Sequence, residues 1–142
     1  MTKLTKNPQG GRRKTKPVLT EAEWTIMKIV WDKEPCAAGT VQEALLESKN
    51  WAYSTVKGAM DRMVEKGFLK ISKIRNLQLF SSTKDKEQAQ KDEFKKMLKR
   101  AFDDALTPMM QFLLENEDLS KNELKQIRLM IEKAEATKNN SK

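Results

Sequence analysis

The sequence contains no histidine, and it has a single cysteine, Cys36, among its 142 residues. Without histidine the chain lacks the commonest general base and the commonest metal ligand, and one thiol cannot close an internal disulfide. There is also no Gly-rich phosphate loop and no nucleophile spaced to meet a base, which argues against an enzyme. We therefore expect no catalytic residues, no metal site and no cofactor.

Long hydrophobic runs are absent as well. No apolar stretch approaches the roughly 18 residues that a membrane span requires, and no hydrophobic segment follows the basic N-terminus, as it would in a secretory signal. A lone cysteine is typical of a reducing compartment. These features predict a cytoplasmic protein without a membrane partner.

The net charge of +8 is concentrated at the N-terminus. Residues 1–17 hold six lysines or arginines, no acid, two prolines and two glycines, and almost no apolar side chains. This composition predicts a disordered basic arm. Such an arm is suited to bind the phosphate backbone of a nucleic acid. The alternatives are a tail that only increases solubility and weak attachment to an anionic membrane surface.

The strongest pattern in the chain runs from Trp51 to Gly67. Wound as a helix, this segment places four apolar residues on one side at the i, i+3, i+4, i+7 spacing of a buried stripe. The apolar side holds Val56, Ala59, Met60 and Met63. The opposite side holds Ser54, Gly58, Asp61, Arg62 and Glu65, with Thr55 and Lys57 on the flanks. A mid-helix glycine costs about 1 kcal/mol, so Gly58 indicates close approach of another surface, and Gly67 is expected to cap the helix.

Two helices are predicted before this segment. Thr20 and Glu23 form a capping box that opens the first helix, Pro35 ends it, and residues 38–49 form the second. A third helix that follows the second after a short turn completes the order of elements of a helix-turn-helix motif. The Trp51–Gly67 segment is therefore typical of a recognition helix, which docks by its apolar side and presents the other side to DNA.

Two short strands are predicted after Gly67, over residues 68–73 and 77–81. Ile74, Arg75 and Asn76 join them, with Asn76 expected at positive φ. A hairpin at this place is the wing of a winged-helix domain, which we assign to residues 18–83. Lys73 and Arg75 lie at its tip and are candidate DNA contacts, although a merely solvated hairpin tip is the alternative.

The rest of the chain is predicted to form three helices. Thr107 is expected to be the N-cap of the second, with Pro108 as its first residue, and Ser120 and Glu123 form a capping box that opens the third. Their apolar stripes are large for a unit of this size, which favours a second copy of the chain as partner over folding back onto the first domain. We assign residues 84–136 to a helical dimerisation region and residues 137–142 to a polar tail. The candidate dimerisation residues are Phe94, Leu98, Phe102, Met109, Phe112, Leu113, Leu124, Ile127 and Ile131. The predicted fold is thus mainly α with a small β-hairpin wing.

The order of these elements and several blocks of residues resemble the BlaI/MecI/CopY family of bacterial regulators, the penicillinase repressor family. The blocks are Leu19–Trp24, Ile29–Trp31, Trp51–Lys57 and Arg62–Leu69. The resemblance implies a repressor that binds a near-palindromic double-stranded DNA operator as a homodimer.

The family's recognition-helix contacts match Thr55, Lys57, Gly58, Asp61 and Arg62 of this chain. Gly58 and Asp61 stand where the β-lactamase repressors have hydroxyl residues. Asp61 either accepts a hydrogen bond from a cytosine amino group or pairs with Lys57 at i, i+4. The two alternatives leave the operator sequence open.

The resemblance also suggests how repression is released. Copper-responsive members carry paired Cys-x-Cys motifs near the C-terminus, which this chain lacks. Other members are cleaved within the dimerisation region, and the corresponding bond here is Phe112–Leu113, where the family has asparagine and phenylalanine. We expect release by proteolysis or another signal rather than by metal, which would make a sensor protease a second partner.

The competing function is a winged-helix module for protein–protein interaction without specific DNA binding. Lys57, Arg62, Lys73 and Arg75 distinguish the two functions, because only a DNA-binding protein needs their charge.

Overall fold

A computed structural model describes residues 17–116 and 118–140. Its helices are α1 (Glu21–Lys33), α2 (Ala38–Ala44), α3 (Leu46–Lys49), α4 (Tyr53–Glu65), α5 (Lys86–Phe102), α6 (Leu106–Asn116) and α7 (Lys121–Asn140), and its strands are β1 (Leu69–Ile74) and β2 (Leu77–Ser82). The predicted fold, mainly helical with one β-hairpin, is confirmed. The chain divides into two compact units at Glu93 and Phe94. Except for Pro17, the predicted basic arm lies outside the described residues.

Helix α1 begins as its sequence predicts. The Thr20 hydroxyl accepts a hydrogen bond from the Glu23 N–H at 3.2 Å, and the Glu23 carboxylate accepts one from the Thr20 N–H at 2.9 Å. These two bonds satisfy amide groups that a helix start leaves without an intrahelical partner. The capping box is therefore confirmed.

The second predicted helix is interrupted at Leu45, so the expectation of one continuous helix over residues 38–49 was wrong. Leu45 has φ −99° and ψ 1°, outside the helical region. Its N–H nevertheless bonds to the Val41 carbonyl at 3.1 Å, and the Lys49 N–H bonds to the Leu45 carbonyl at 2.8 Å. The interruption is a local distortion, after which Asn50 ends the segment in the left-handed region at φ 53°.

Helix α4 buries the apolar stripe that its periodicity predicts, namely Val56, Ala59, Met60 and Met63. Beyond its end, Gly67 has φ +89°. The Gly67 N–H bonds to the Val64 carbonyl at 3.0 Å and the Phe68 N–H to the Met63 carbonyl at 2.9 Å. This is a Schellman motif, which confirms Gly67 as the cap.

The hairpin has a two-residue turn. Strands β1 and β2 are antiparallel, and Ile74 lies opposite Leu77, which leaves only Arg75 and Asn76 between them. Arg75 has the positive φ, 59°. The prediction that Asn76 would take it was therefore wrong. The pairing of Ile74 with Leu77 shortens the expected three-residue connection to two residues, and primed hairpin turns require positive φ at their first central position.

The hairpin is fastened to the helices through Phe80, which is fully buried. Its N–H donates to the Cys36 carbonyl at 2.7 Å, and its carbonyl accepts from the Cys36 N–H at 3.0 Å. The segment after α1 thus adds a short antiparallel bridge to the sheet. Burial and the nearby Glu34 carboxylate raise the pKa of the Cys36 thiol, so this cysteine is a protonated core side chain at neutral pH.

An ion pair joins the start of α1 to the end of α4. The Glu23 carboxylate is buried, with 5% of its side chain exposed, and the Lys66 ammonium lies 2.8 Å from one oxygen and 3.0 Å from the other. Burial raises the pKa of the Glu23 carboxyl, but the hydrogen bonds from Lys66 and Thr20 lower it by more, so the net pKa lies below its usual value.

This lowered pKa makes stability depend on pH. The contribution of Glu23 is fully present above its unfolded pKa of about 4.3 and is lost as pH falls through the lower folded value. We expect Glu23→Gln to lose about 1–2 kcal/mol of unfolding free energy at pH 7 and to differ less from wild type at pH 3. Urea unfolding followed by tryptophan fluorescence at both values measures this, and an unchanged difference at pH 3 would contradict it.

The C-terminal helices follow the sequence with one shift. Helix α6 begins at Leu106, so Pro108 is its third residue, and the expected start with Thr107 as the cap was wrong. The shift is tolerated because the first four N–H groups of a helix have no intrahelical partner, so the missing N–H of proline costs nothing there. The predicted capping box of α7 is present, with bonds of 3.0 Å in both directions between Ser120 and Glu123. Helix α7 continues to Asn140, through most of the predicted polar tail.

No helix in the described part of the chain is both long enough and apolar enough to cross a membrane. Within the same ranges, no group of three or more acidic or cysteine side chains is placed to hold a metal ion.

Candidate nucleic-acid interface

Helix α4 is held in place at both ends. It packs against α1, α2 and β1. At its entry, the Gln42 side-chain amide donates to the Trp51 carbonyl at 3.2 Å. At its exit, Lys66 is bound to Glu23. The helix therefore presents its polar side from a fixed position, as base recognition requires.

The N-terminal turn of α4 is open to an anion. Ala52 occupies the N-cap position without a side-chain hydrogen bond, and the first turn contains no acid. Ser54 and Thr55 are exposed there, and Tyr53 is 52% exposed. Uncapped N–H groups and the positive end of the helix dipole suit a phosphate. Tyr53 and this open turn were not predicted, although the lack of Ser, Thr, Asp or Asn at position 52 was a readable signal.

The charged residues of α4 form one ion pair in this structure. The Lys57 ammonium lies 2.9 Å from both carboxylate oxygens of Asp61. The two side chains are 29% and 49% exposed. The i, i+4 pairing considered from the sequence is therefore present in the free protein, which leaves the role of Asp61 on DNA to be tested.

Gly58 and Arg62 are also neighbours. A Cβ atom placed on Gly58 would lie 3.7 Å from Nη1 of Arg62. The guanidinium group of Arg62 thus lies beside Gly58, one helical turn closer to the N-terminus of α4 than the Cα atom of Arg62. Side chains on helices lean in that direction, and here the lean brings a cation toward the end of α4 that would enter a groove.

Replacing Gly58 with alanine tests why glycine stands there. The added methyl group meets Arg62 at an ordinary contact distance, so we expect a helix that is more stable by about 1 kcal/mol. If a DNA surface approaches Gly58 closely, specific DNA affinity should fall about tenfold, a loss of about 1.4 kcal/mol.

Gly39→Ala in α2 is the matched control, because a Cβ there meets nothing within 4 Å. Thermal unfolding and titration with operator DNA measure both effects. Unchanged affinity in Gly58→Ala would contradict the close-approach explanation.

The predicted wing residues lie on a separate element of the same compact unit. Lys73 and Arg75 are exposed near the end of the hairpin. Two apolar residues beside them, the cross-strand pair Ile74 and Leu77, are 60% and 53% exposed. The hairpin end therefore offers two cations around an exposed apolar pair.

The predicted dimerisation residues lie in the second compact unit. Among them, Leu98, Phe102, Met109, Leu113 and Ile127 are half-buried, while Phe94, Phe112, Leu124 and Ile131 are 38–59% exposed. No side chain described between residues 94 and 140 is buried. Within a single chain, these helices therefore form no buried hydrophobic core over the described part of residues 94–140.

The family relationship accounts for this combination of parts. Residues 19–133 match the sequence profile of the family described as "Penicillinase repressor". The chain belongs to the penicillinase repressor family. The match covers both compact units, so the winged helix and the C-terminal helices are both family features.

Individual relatives are distant but extend over most of the chain. The methicillin resistance regulatory protein MecI of Staphylococcus aureus (strain N315) is 24% identical over 115 residues, covering 81% of this chain and 94% of that protein. The penicillinase repressor of Bacillus licheniformis is 23% identical over 116 residues, covering 82% and 91%. The solution structure of the DNA-binding domain of the repressor BlaI covers 51% of this chain and 88% of its own, with 22% identity and a TM-score of 0.46.

Proposed function

We propose that this member of the penicillinase repressor family is a sequence-specific DNA-binding transcriptional repressor, which acts as a homodimer on a near-palindromic operator in the cytoplasm. The observation that carries the proposal is the outward face of α4. Ser54, Gly58 and Arg62 lie opposite a fully packed stripe, on a helix fixed at both ends, and Thr55 and Lys57 lie on the flanks. The description of the family and the name of the Bacillus licheniformis relative, both "penicillinase repressor", support the direction of the regulation.

The homodimer is supported by the exposed apolar side chains of the second compact unit. Helices of this length are marginal in water without tertiary packing, and no side chain described after Glu93 is buried. A second copy would supply the missing packing surface. A two-fold dimer would also match a palindromic operator, because each half-site then receives one recognition helix.

Release by proteolysis, or by a signal other than metal, is part of the proposal. The sequence supplies no histidine and no thiol after Cys36, so it cannot build a thiolate sensor site. The bond proposed for cleavage, Phe112–Leu113, lies inside α6. A protease needs an extended substrate, so cleavage there would require α6 to unwind locally.

The test is binding to DNA from immediately upstream of the protein's own gene, compared with random duplex, across a salt series. We expect a complex of two protomers on a near-palindrome, with affinity that falls linearly with salt on a log–log plot. Footprinting then gives the operator. Equal and weak binding to both duplexes would contradict the proposal.

A charge-neutral variant separates DNA binding from the alternative, a protein-interaction module. Lys57→Gln, Arg62→Gln, Lys73→Gln and Arg75→Gly together should abolish the specific complex and leave the dimer intact. Glycine is chosen at position 75 because Arg75 has φ 59°, a conformation that glycine adopts without strain. A variant that still binds the operator would contradict the assignment of these four residues as DNA contacts, and a wild type that binds no operator specifically would favour the interaction module.

A further inference from the structure

Asp61 lies in the middle of the outward face of α4. At 100° per residue, Ser54, Gly58 and Asp61 fall nearly opposite the buried stripe, while Thr55 and Lys57 fall on the two flanks. In a helix that lies in the major groove, the flanks face the sugar–phosphate walls and the middle faces base edges. The carboxylate of Asp61 is therefore placed toward bases rather than phosphates.

A carboxylate can only accept hydrogen bonds. On the floor of the major groove, guanine N7 and O6 and thymine O4 are acceptors, which repel it. The donors there are the exocyclic amino groups, N4 of cytosine and N6 of adenine. Asp61 is thus compatible with some base pairs and unfavourable with others.

The ion pair with Lys57 strengthens this discrimination. Both oxygens of Asp61 lie 2.9 Å from the Lys57 ammonium. If Lys57 turns from Asp61 to a phosphate, the carboxylate faces the groove without its cation. Where a base amino group faces it, the carboxylate regains a donor, and elsewhere it does not.

Helix stability is a weak alternative explanation for the pair. Exposed ion pairs at i, i+4 contribute little, and lysine before the acid is the less favourable order along a helix.

We infer that Asp61 is a specificity-determining residue, which selects a base carrying an exocyclic amino group at one position of each half-operator and penalises binding to other DNA. The inference rests on the proposed function. It predicts a preference for cytosine or adenine at that position, and the selected base shows which amino group is used.

The test compares wild type with Asp61→Asn and Asp61→Ala by selecting bound duplexes from a library with randomised half-sites and by titrating random duplex. Asparagine keeps the shape, removes the charge and pairs best with adenine N6 and N7. We expect Asp61→Asn to bind random duplex several-fold more tightly and to lose at least tenfold in the ratio of specific to non-specific affinity. If wild type selects cytosine at the position, the base selected by Asp61→Asn should change toward adenine. Asp61→Ala should lose the preference.

Glu65→Gln is the matched control, because it removes the same charge one turn further along the same exposed face. It should leave the selected base unchanged at every position. If Asp61→Asn and Asp61→Ala select the wild-type sequence with the wild-type ratio, or change affinity only as Glu65→Gln does, the inference is overturned and the repressor function stands. If wild type selects no sequence, the proposed function fails, and the inference fails with it.

Discussion

Phe80→Ala is expected to lower the free energy of unfolding by about 3–5 kcal/mol, the usual loss for a buried phenylalanine. Phe80 is fully buried and is the largest of the completely buried side chains. It packs in the same core cluster as the buried stripe of α4. Because small domains have only about 5–15 kcal/mol of stability, a large share of it should be lost.

Alanine keeps the two backbone bonds to Cys36, but loss of the ring from the shared core cluster should loosen the packing of the hairpin and α4 together. Urea unfolding followed by circular dichroism measures the change in the free energy of unfolding. Leu77→Ala is the control on the same strand, since Leu77 is 53% exposed and should change stability by less than about 0.5 kcal/mol. Equal effects of the two substitutions would contradict the assignment of Phe80 to the core.

Ile131→Asp is expected to disrupt the proposed homodimer. Ile131 is 52% exposed in the single chain and lies on the stripe of α7 with Leu124 and Ile127. A buried aspartate at an interface costs about 2 kcal/mol or more per copy. A two-fold interface contains the change twice, so the dimer dissociation constant should rise about 1,000-fold.

Leu129→Asp is the matched control for this change. Leu129 is 48% exposed, almost as much as Ile131, but two residues along a helix place it on the opposite side. Sedimentation equilibrium on both variants and the wild type measures the dissociation constants. Two equal constants, or a wild type that stays monomeric at high concentration, would contradict the proposed interface.

Helix α4, its C-terminal cap and the capping boxes of two other helices could be predicted from the sequence. The buried stripe of α4, the Gly67 cap and the capping boxes at Thr20 and Ser120 all depend on residues no more than seven positions apart. Hydrogen bonds and side-chain periodicity act over that range whatever the rest of the chain does. The same holds for the Lys57–Asp61 pair, because two side chains at i, i+4 are neighbours on any helix.

Turn positions and helix interruptions were predicted less well. The positive φ at Arg75 follows from the strand register, which sets where the two-residue turn falls. The distortion at Leu45 and the start of α6 at Leu106 left no distinct signal in the neighbouring residues. Such details depend on small free-energy differences between local conformations, which packing against other elements can reverse.

By itself, then, the sequence determined the order of the elements, the two faces of α4, and the exposed apolar stripes of the C-terminal helices. Tertiary structure alone decided that Cys36 bridges Phe80, that Lys66 binds Glu23, and that the Trp31 indole N–H donates to the Lys84 carbonyl at 3.1 Å. These partners lie more than 40 residues apart in the chain. No local pattern encodes such a pairing, because each contact exists only after helices and hairpin have packed and brought distant backbone into reach.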